Sequence, residues 1–139
     1  MLPLRRQRFA GATLVVTSAG DSHVDGQLTL REAINNSFPG DIVSIDLPEK
    51  IQLSAREIII DHDLTVKGPF GRTQVVKGMY GARIFRITAG VVEIANLTLT
   101  GAVQLGRDAT RTTSAGPGEG GAIYNGGTLT LRECQFATN

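Results

Sequence analysis

The chain has 139 residues and a mass of 14.8 kDa, the size of one ordinary domain with a substantial core. Its 14 basic and 13 acidic residues leave a net charge of +1, without the concentrated basic face that nucleic-acid binding requires, so we expect no nucleic acid as a partner. Hydrophobic residues make up 41% and charged residues 19%, which excludes disorder throughout. The 17 glycines and the aromatic content of 5% favour short strands with tight turns over a helical bundle.

The amino-terminal residues 1–11 are interpreted as a flexible basic tail, because three arginines lie within residues 5–8. The apolar stretch that follows, residues 9–16, is short and is interrupted by glycine and threonine. It is not a convincing signal peptide, and we predict that "TLVVTS" is a strand instead. The predicted folded domain therefore runs over residues 12–139.

One helix is predicted, at about residues 29–37, in the stretch "LTLREAINNSFPG". Thr29 and Glu32 have the spacing of a capping box, in which each side chain bonds a free backbone amide of the other residue. Leu30, Ala33 and Ile34 form one apolar face, and a proline and a glycine at 39–40 end the element. Such a short amphipathic helix suits a cap over the open end of a stacked core.

An internal repeat organises the rest of the chain. The stretch "GVVEIANLTLTGA" (90–102) aligns without a gap on "GTLTLRECQFATN" (127–139) at an offset of 37, and "DLTVKGP" (63–69) aligns on the former at an offset of 28. Other short apolar stretches lie between these copies and are bounded by turn residues. Such spacing predicts strands that pair in parallel with their counterparts one coil later, with leucines inward and threonines outward.

The fold that we predict is all-β: a right-handed parallel β-helix, a solenoid about four coils deep, with a short N-terminal capping helix. A polar loop at about 103–119 interrupts the repeat. The last strands are followed by neither a helix nor a polar cap. We therefore expect the domain to be truncated at its carboxyl-terminal end and able to self-associate end to end through that uncapped coil.

Two stretches of the chain carry a family resemblance. "GGAI" (120–123) followed by "FATN" (136–139) resembles the GGAI and FxxN repeats of polymorphic outer-membrane proteins, and "LTLREAI" resembles the CSLREAI start of right-handed parallel β-helix surface proteins. The motif residues are Thr29, Leu30, Arg31, Glu32, Ala33, Ile34, Gly120, Gly121, Ala122, Ile123, Phe136 and Asn139. The resemblance implies an extracellular or outer-membrane location, and a β-helix stalk or scaffold used in adhesion.

Few polar residues suggest a reaction. "DHD" at 61–63 groups two carboxylates with an imidazole, which suits calcium binding or proton abstraction, but we interpret it as a turn in which Asp61 caps its own backbone. Cys134 occupies an apolar position of the repeat and is interpreted as a small buried hydrophobic residue. No catalytic residue, metal ligand or cofactor is predicted.

The function that we predict is non-enzymatic: a structural stalk or an adhesin-like segment of a bacterial surface or secreted protein. Long loops on solenoids often form the binding face, so Arg107, Asp108 and Arg111 in the 103–119 loop are the predicted contacts. Their partner would be a host, cell-surface or polysaccharide ligand. The alternative is a carbohydrate-active enzyme, a polysaccharide lyase or hydrolase, which should present a basic residue beside acids on one strand face.

Overall fold

The computed structural model describes residues 11–79, 82–101 and 121–137. This part of the chain is β-rich and contains a single short helix, α1 (Leu30–Asn36). Its strands are β1 (Thr13–Val16), β2 (Asp41–Ile45), β3 (Ile51–Gln52), β4 (Ile58–Ile60), β5 (Leu64–Lys67), β6 (Gln74–Lys77), β7 (Phe85–Ile87), β8 (Val91–Ala95), β9 (Leu97–Thr100), β10 (Ile123–Asn125), β11 (Thr128–Arg132) and β12 (Gln135–Ala137).

The strands form three parallel sheets that the chain visits in a fixed order. The first sheet has the order β1-β2-β5-β8-β11, the second β3-β6-β9-β12 and the third β4-β7-β10. We call one passage through the first, second and third sheets a round. Every strand thus pairs in parallel with the equivalent strand of the next round. Each round is hydrogen-bonded to its neighbours through short strands.

The strand registers confirm both offsets of the internal repeat. In the first sheet, Val92 pairs with Leu129 and Ile94 with Leu131, and in the second sheet Leu99 pairs with Phe136, all at the offset of 37. The offset of 28 is confirmed by the pairing of Val66 with Ile94. The repeat was visible in the sequence because residues that stack across parallel strands face the same environment.

The core lies between the sheets and is lined by alternate residues of each strand. In β9 the leucines are buried while the intervening threonines are partly exposed, as predicted. Among the described residues, the largest fully buried side chain is Phe85, which pairs with Ile58 on one side and with Ile123 on the other. Since Ala122 and Ile123 are also buried, the described part of the "GGAI" motif belongs to this core.

The capping box at the start of α1 is confirmed. The Thr29 hydroxyl accepts a hydrogen bond from the Glu32 amide at 3.0 Å, and the Glu32 carboxylate accepts one from the Thr29 amide at 3.0 Å. The predicted apolar face, Leu30, Ala33 and Ile34, is buried. The helix packs against β1, β2 and β4, so it covers the core beside the first round.

A buried ion pair ties the helix to the sheets, and we call it the cap staple. Both carboxylate oxygens of Asp21 accept hydrogen bonds from the Arg31 guanidinium at 2.9 Å. The same carboxylate accepts bonds from the backbone amides of Ser54 and Ala55, and Arg31 also donates to the carbonyls of residues 56 and 57. The Asp21 side chain is only 1% exposed. The staple therefore joins the loop before α1, the helix itself and the turn between β3 and β4.

A histidine lies on the exposed side of the same helix terminus. The ring of His23 contacts the Glu32 carboxylate through Nδ1 at 2.6 Å and the Asp25 carboxylate through Nε2 at 3.0 Å. The Glu32 hydrogen bond and then the Asp25 hydrogen bond raise the pKa of His23 above its ordinary 6.5. The Thr29 amide and then His23 lower the pKa of Glu32.

We expect this contact to make the stability of the cap depend on pH. Because the folded state holds the His23 proton more tightly than the unfolded state does, the stabilisation is present below the ordinary pKa and is lost as the pH rises through the raised pKa. Urea unfolding of the wild type and of His23→Gln at about pH 5.5 and about pH 9 measures it. At the lower pH the wild type should have a higher free energy of unfolding than His23→Gln, and at the higher pH the two proteins should be equally stable. An equal difference at both pH values would contradict a charged contact.

Candidate functional site

The turns that join the first sheet to the second differ in length from round to round. Residues 46–50 form this turn in the earliest round and residues 68–73 in the next, whereas Asn96 alone separates β8 from β9 and residues 133–134 separate β11 from β12. Asn96 and Glu133 make these tight corners in the left-handed conformation, with φ of 57° and 54°. At this corner between the first and second sheets, two long turns are therefore followed by two short turns in the later rounds.

This change in turn length creates a groove with a cavity volume of about 530 Å³. Residues 70–73 form its wall, and Asn96 with residues 133–135 forms its floor. We call this space the corner groove and residues 68–73 the wall turn. Its volume lies within the range of about 300–1,000 Å³ that is typical of small-molecule sites.

An exposed aromatic ring lies at the tip of the wall turn. Phe70 is 100% exposed, the largest exposed fraction among the large apolar side chains of the described residues. The turn begins at Gly68, where a Cβ atom would collide with the carbonyl oxygen of Asn96, so the wall turn approaches the next round closely. The ring therefore extends into solvent from a turn that is anchored to the floor of the groove.

The wall turn is also fixed to the long turn of the preceding round. The side chain of Gln74 is buried; it accepts a hydrogen bond from the Leu47 amide and donates one to the Glu49 carbonyl, each at 2.8 Å. Arg72 forms an ion pair with Asp46 and also donates to the Leu47 carbonyl. The two long turns thus support each other through side-chain bonds, and the wall has little freedom to collapse into the groove.

The groove presents a hydroxyl group on its wall, from Thr73, and amide and carboxylate groups on its floor, from Asn96, Gln135 and Glu133. The hydroxyl oxygens of Thr73 and Thr98 lie 2.6 Å apart, and the Thr98 hydroxyl lies 3.5 Å from the Gln135 side-chain oxygen. These residues form a row across three successive rounds. Glu133 is exposed, and within the part of the chain that the structure describes its carboxylate forms no ion pair.

Cys134, on the same floor, does not have the lowered pKa that activates a thiol as a nucleophile. Burial raises the pKa of Cys134, and its sulfur donates to the Ile94 carbonyl at 3.3 Å. It packs against the core, but it is partly exposed and not buried as its apolar position in the repeat predicts. The groove therefore offers polar groups for binding but no activated sulfur.

A second polar cluster joins the helix to the "DHD" turn. His62 contacts the Ser37 hydroxyl oxygen through Nε2 at 2.7 Å and the Asp61 carboxylate through Nδ1 at 2.8 Å. This order of groups resembles a nucleophile, a base and its orienting acid. However, the Ser37 hydroxyl has a single hydrogen and donates it to the Ile34 carbonyl at 2.6 Å, so that hydrogen is not directed at His62. A nucleophilic serine needs its hydrogen bonded to the base, whereas here the hydroxyl closes the carboxyl end of α1.

The structure also corrects the interpretation of the "DHD" turn. Asp61 is predicted to cap its own backbone, but its carboxylate instead contacts the neighbouring imidazole of His62 at 2.8 Å. Asp63 instead accepts a hydrogen bond from the Val91 amide at 2.8 Å, which joins this round to the next. Two of the three residues therefore tie the "DHD" turn to other elements of the fold.

The predicted site residues have different outcomes. The loop contacts Arg107, Asp108 and Arg111 lie outside the described residues, as do Gly120 and Asn139 of the family motifs, so they remain predictions. Of the other motif residues, those of the helix form the cap and its staple, and Phe136 pairs with Leu99 on the second sheet. The corner groove was not predicted. Its signal in the sequence is the unequal spacing of the strands around the "GPFGR" turn.

Among the described residues, no group of three or more histidine, cysteine, aspartate or glutamate side chains could hold a metal ion. The helix in this part of the chain falls short of the length and apolarity needed to cross a bilayer. No protein-family model, no curated protein and no solved structure matches this chain.

Proposed function

We propose that the chain is a right-handed parallel β-helix that serves as a non-enzymatic segment of a bacterial surface or secreted protein, as a stalk or in an adhesin-like role. The observation that carries this proposal is the repeated order of the three parallel sheets, with each strand in register with its counterpart in the next round. Connections between neighbouring parallel strands of one sheet are right-handed in nearly all proteins, which supports the proposed hand.

A stack of this kind suits a stalk. Each round is bonded mainly to the rounds before and after it, so stability and stiffness accumulate along one direction. The described strands are short and their outward residues are mostly polar, while turns of unequal length leave the stack at its corners. Turns of this kind are free to vary without disturbing the core, and in stacked folds they commonly carry binding.

The surface location rests on the resemblance of the "LTLREAI" and "GGAI…FATN" stretches to surface proteins. The helix motif is consistent with a cap, because Arg31 and Glu32 act in the staple and the capping box. The role of these residues in folding thus explains the helix motif. The surface location of the protein is therefore tested separately.

The rival function, a carbohydrate-active enzyme, requires a convergent set of acids and bases. Among the described residues, the cluster of Ser37, His62 and Asp61 groups a hydroxyl, an imidazole and a carboxylate in this way. The Ser37 hydroxyl is committed to a helix carbonyl, and the Asp61 side chain is 70% exposed. Catalytic carboxylates are normally shielded and aimed at a shared reaction centre, so this geometry favours the non-enzymatic role.

Two measurements test the proposed function. In the source cells, an antibody to this chain should detect it on the surface or in the medium of intact cells. Detection only inside the cell would overturn the surface role. Incubation of the purified protein with pectin and alginate should yield no unsaturated product, and release of such a product would establish the enzymatic alternative.

A further inference from the structure

We propose that the corner groove binds a neutral pyranose saccharide, with the ring of Phe70 as the stacking platform and the floor residues as hydrogen-bond partners. This inference names the ligand class of the adhesive role and rests on that proposed function. It assigns saccharide binding to the corner groove rather than to the loop at 103–119.

The platform follows from the exposure of Phe70. An apolar ring that is 100% exposed contributes nothing to the core and leaves its whole area in water. The face of an aromatic ring carries partial negative charge and attracts partially positive hydrogens. One face of a pyranose ring consists largely of C–H groups, so it can cover Phe70 and remove both surfaces from water.

The polar groups of the wall and the floor match the remaining groups of a sugar. Sugar hydroxyls both donate and accept hydrogen bonds, and they are best met by a mixture of donors and acceptors. Thr73 and Gln135 supply groups of both kinds, and Glu133 supplies a strong acceptor. Thr73 lies two rounds before Glu133 and Gln135, so these side chains are spread along the groove and can meet hydroxyl groups of an extended saccharide.

The charges of the groove favour a neutral saccharide over an acidic one. The guanidinium of Arg72 is already paired with the Asp46 carboxylate. Glu133 carries the remaining charge of the lining, and its carboxylate has no cationic partner in the described part of the chain. A uronate or a sulfated sugar would meet the Glu133 carboxylate, and like charges placed together in an interface reduce affinity.

The groove is prepared for a ligand before binding. The wall turn is anchored to the next round at Gly68 and to the preceding turn through the buried Gln74 side chain. Because these anchors already fix the backbone beneath Phe70, less conformational freedom is lost when a saccharide stacks on the ring.

The test is an NMR titration of the ¹⁵N-labelled full chain with neutral hexasaccharides of β-1,4-glucose, β-1,4-mannose, β-1,4-galactose and α-1,4-glucose, and with hexagalacturonate as the acidic comparison. At least one neutral probe should shift the amide signals of residues 70–73 and 133–135 and saturate. Phe70→Ala should weaken that binding about tenfold or more, while Ile59→Ala, which removes a side chain that is 53% exposed on the third sheet, should leave it unchanged.

Each other outcome overturns the inference. It fails if no neutral probe binds, if hexagalacturonate binds more tightly, or if Phe70→Ala binds as the wild type does. Since Phe70 is fully exposed, its replacement should leave the fold intact, which the unchanged amide spectrum of distant residues checks. The titration is independent of where the protein resides in the cell. Saccharide binding by an intracellular protein would overturn the surface role alone, and a surface protein with an inert groove would overturn this inference alone.

Discussion

Replacement of Gly90 by alanine is expected to lower the free energy of unfolding by about 2–5 kcal/mol, from a steric clash of about 1–3 kcal/mol and a left-handed backbone that costs a side chain about 1–2 kcal/mol. Gly90 lies at the entry to β8 with φ of 97°. A Cβ atom there would lie 2.5 Å from the His62 carbonyl carbon and 2.8 Å from the Asp63 nitrogen. Both are backbone atoms of the preceding round, so they can move only if the stack separates. Chemical denaturation of both proteins measures the loss.

Gly26→Ala is the matched control for Gly90→Ala. Gly26 also has a positive φ, of 81°, but no atom lies within 4 Å of a Cβ atom placed there. Its replacement should therefore cost only the conformational part, about 1–2 kcal/mol. If the two variants lose the same stability, the close approach of successive rounds at Gly90 is absent in solution.

Removal of the cap staple is expected to have an effect of similar size. Asp21→Ala leaves the Arg31 guanidinium, whose side chain is 22% exposed, without its bidentate partner. It also removes the acceptor of two backbone amides. Breaking a buried pair in this way costs about 3–5 kcal/mol, and the partial exposure of Arg31 places the expected loss near the lower end. Denaturant unfolding measures this loss, and Asp46→Ala is the control.

Asp46 pairs with Arg72 at an exposed site, where the two side chains are 68% and 50% exposed, so its loss should cost about 0–1 kcal/mol. Equal losses for Asp21→Ala and Asp46→Ala would contradict a buried staple.

The staple should also appear in the pH dependence of stability. Burial raises the pKa of Asp21, but the hydrogen bonds from Arg31, Ser54 and Ala55 together outweigh this effect. The pKa of Asp21 therefore lies below its ordinary value of 3.8. A lowered folded-state pKa gives stability that is present above the unfolded value and is lost as the pH falls through the folded one. The difference in stability between the wild type and Asp21→Ala should therefore shrink in acid.

The features that could be predicted from the sequence are those in which local pattern and stacking agree. The capping box depends on two residues three apart, and the strands alternate apolar and polar side chains, so both could be read from short stretches. The pairings of β5 with β8, of β8 with β11 and of β9 with β12 followed from the repeat, because parallel strands place equivalent residues above one another. Local chemistry and long-range pairing specify the same arrangement at these positions.

The features that could not be predicted depend on contacts between distant turns. Asp21 meets Arg31 and the amides of residues 54–55 only because α1 lies across β4, and no sequence period relates these positions. The corner groove arises from a difference in turn length between rounds, whereas the repeat describes what the rounds share. Ser37 and His62 meet for the same reason, at a corner where the helix and a later turn coincide.

The measurement that tests the account most directly is the NMR assignment of contacts between strands in the full chain. Parallel stacking predicts nuclear Overhauser effects that connect β5 to β8 in the register of Val66 with Ile94, and β8 to β11 in the register of Ile94 with Leu131. Both sets should appear together, with the strands in the same direction. Antiparallel contacts between these strands, or no contact at offsets of 28 and 37, would contradict the stack on which the proposed stalk and its groove depend.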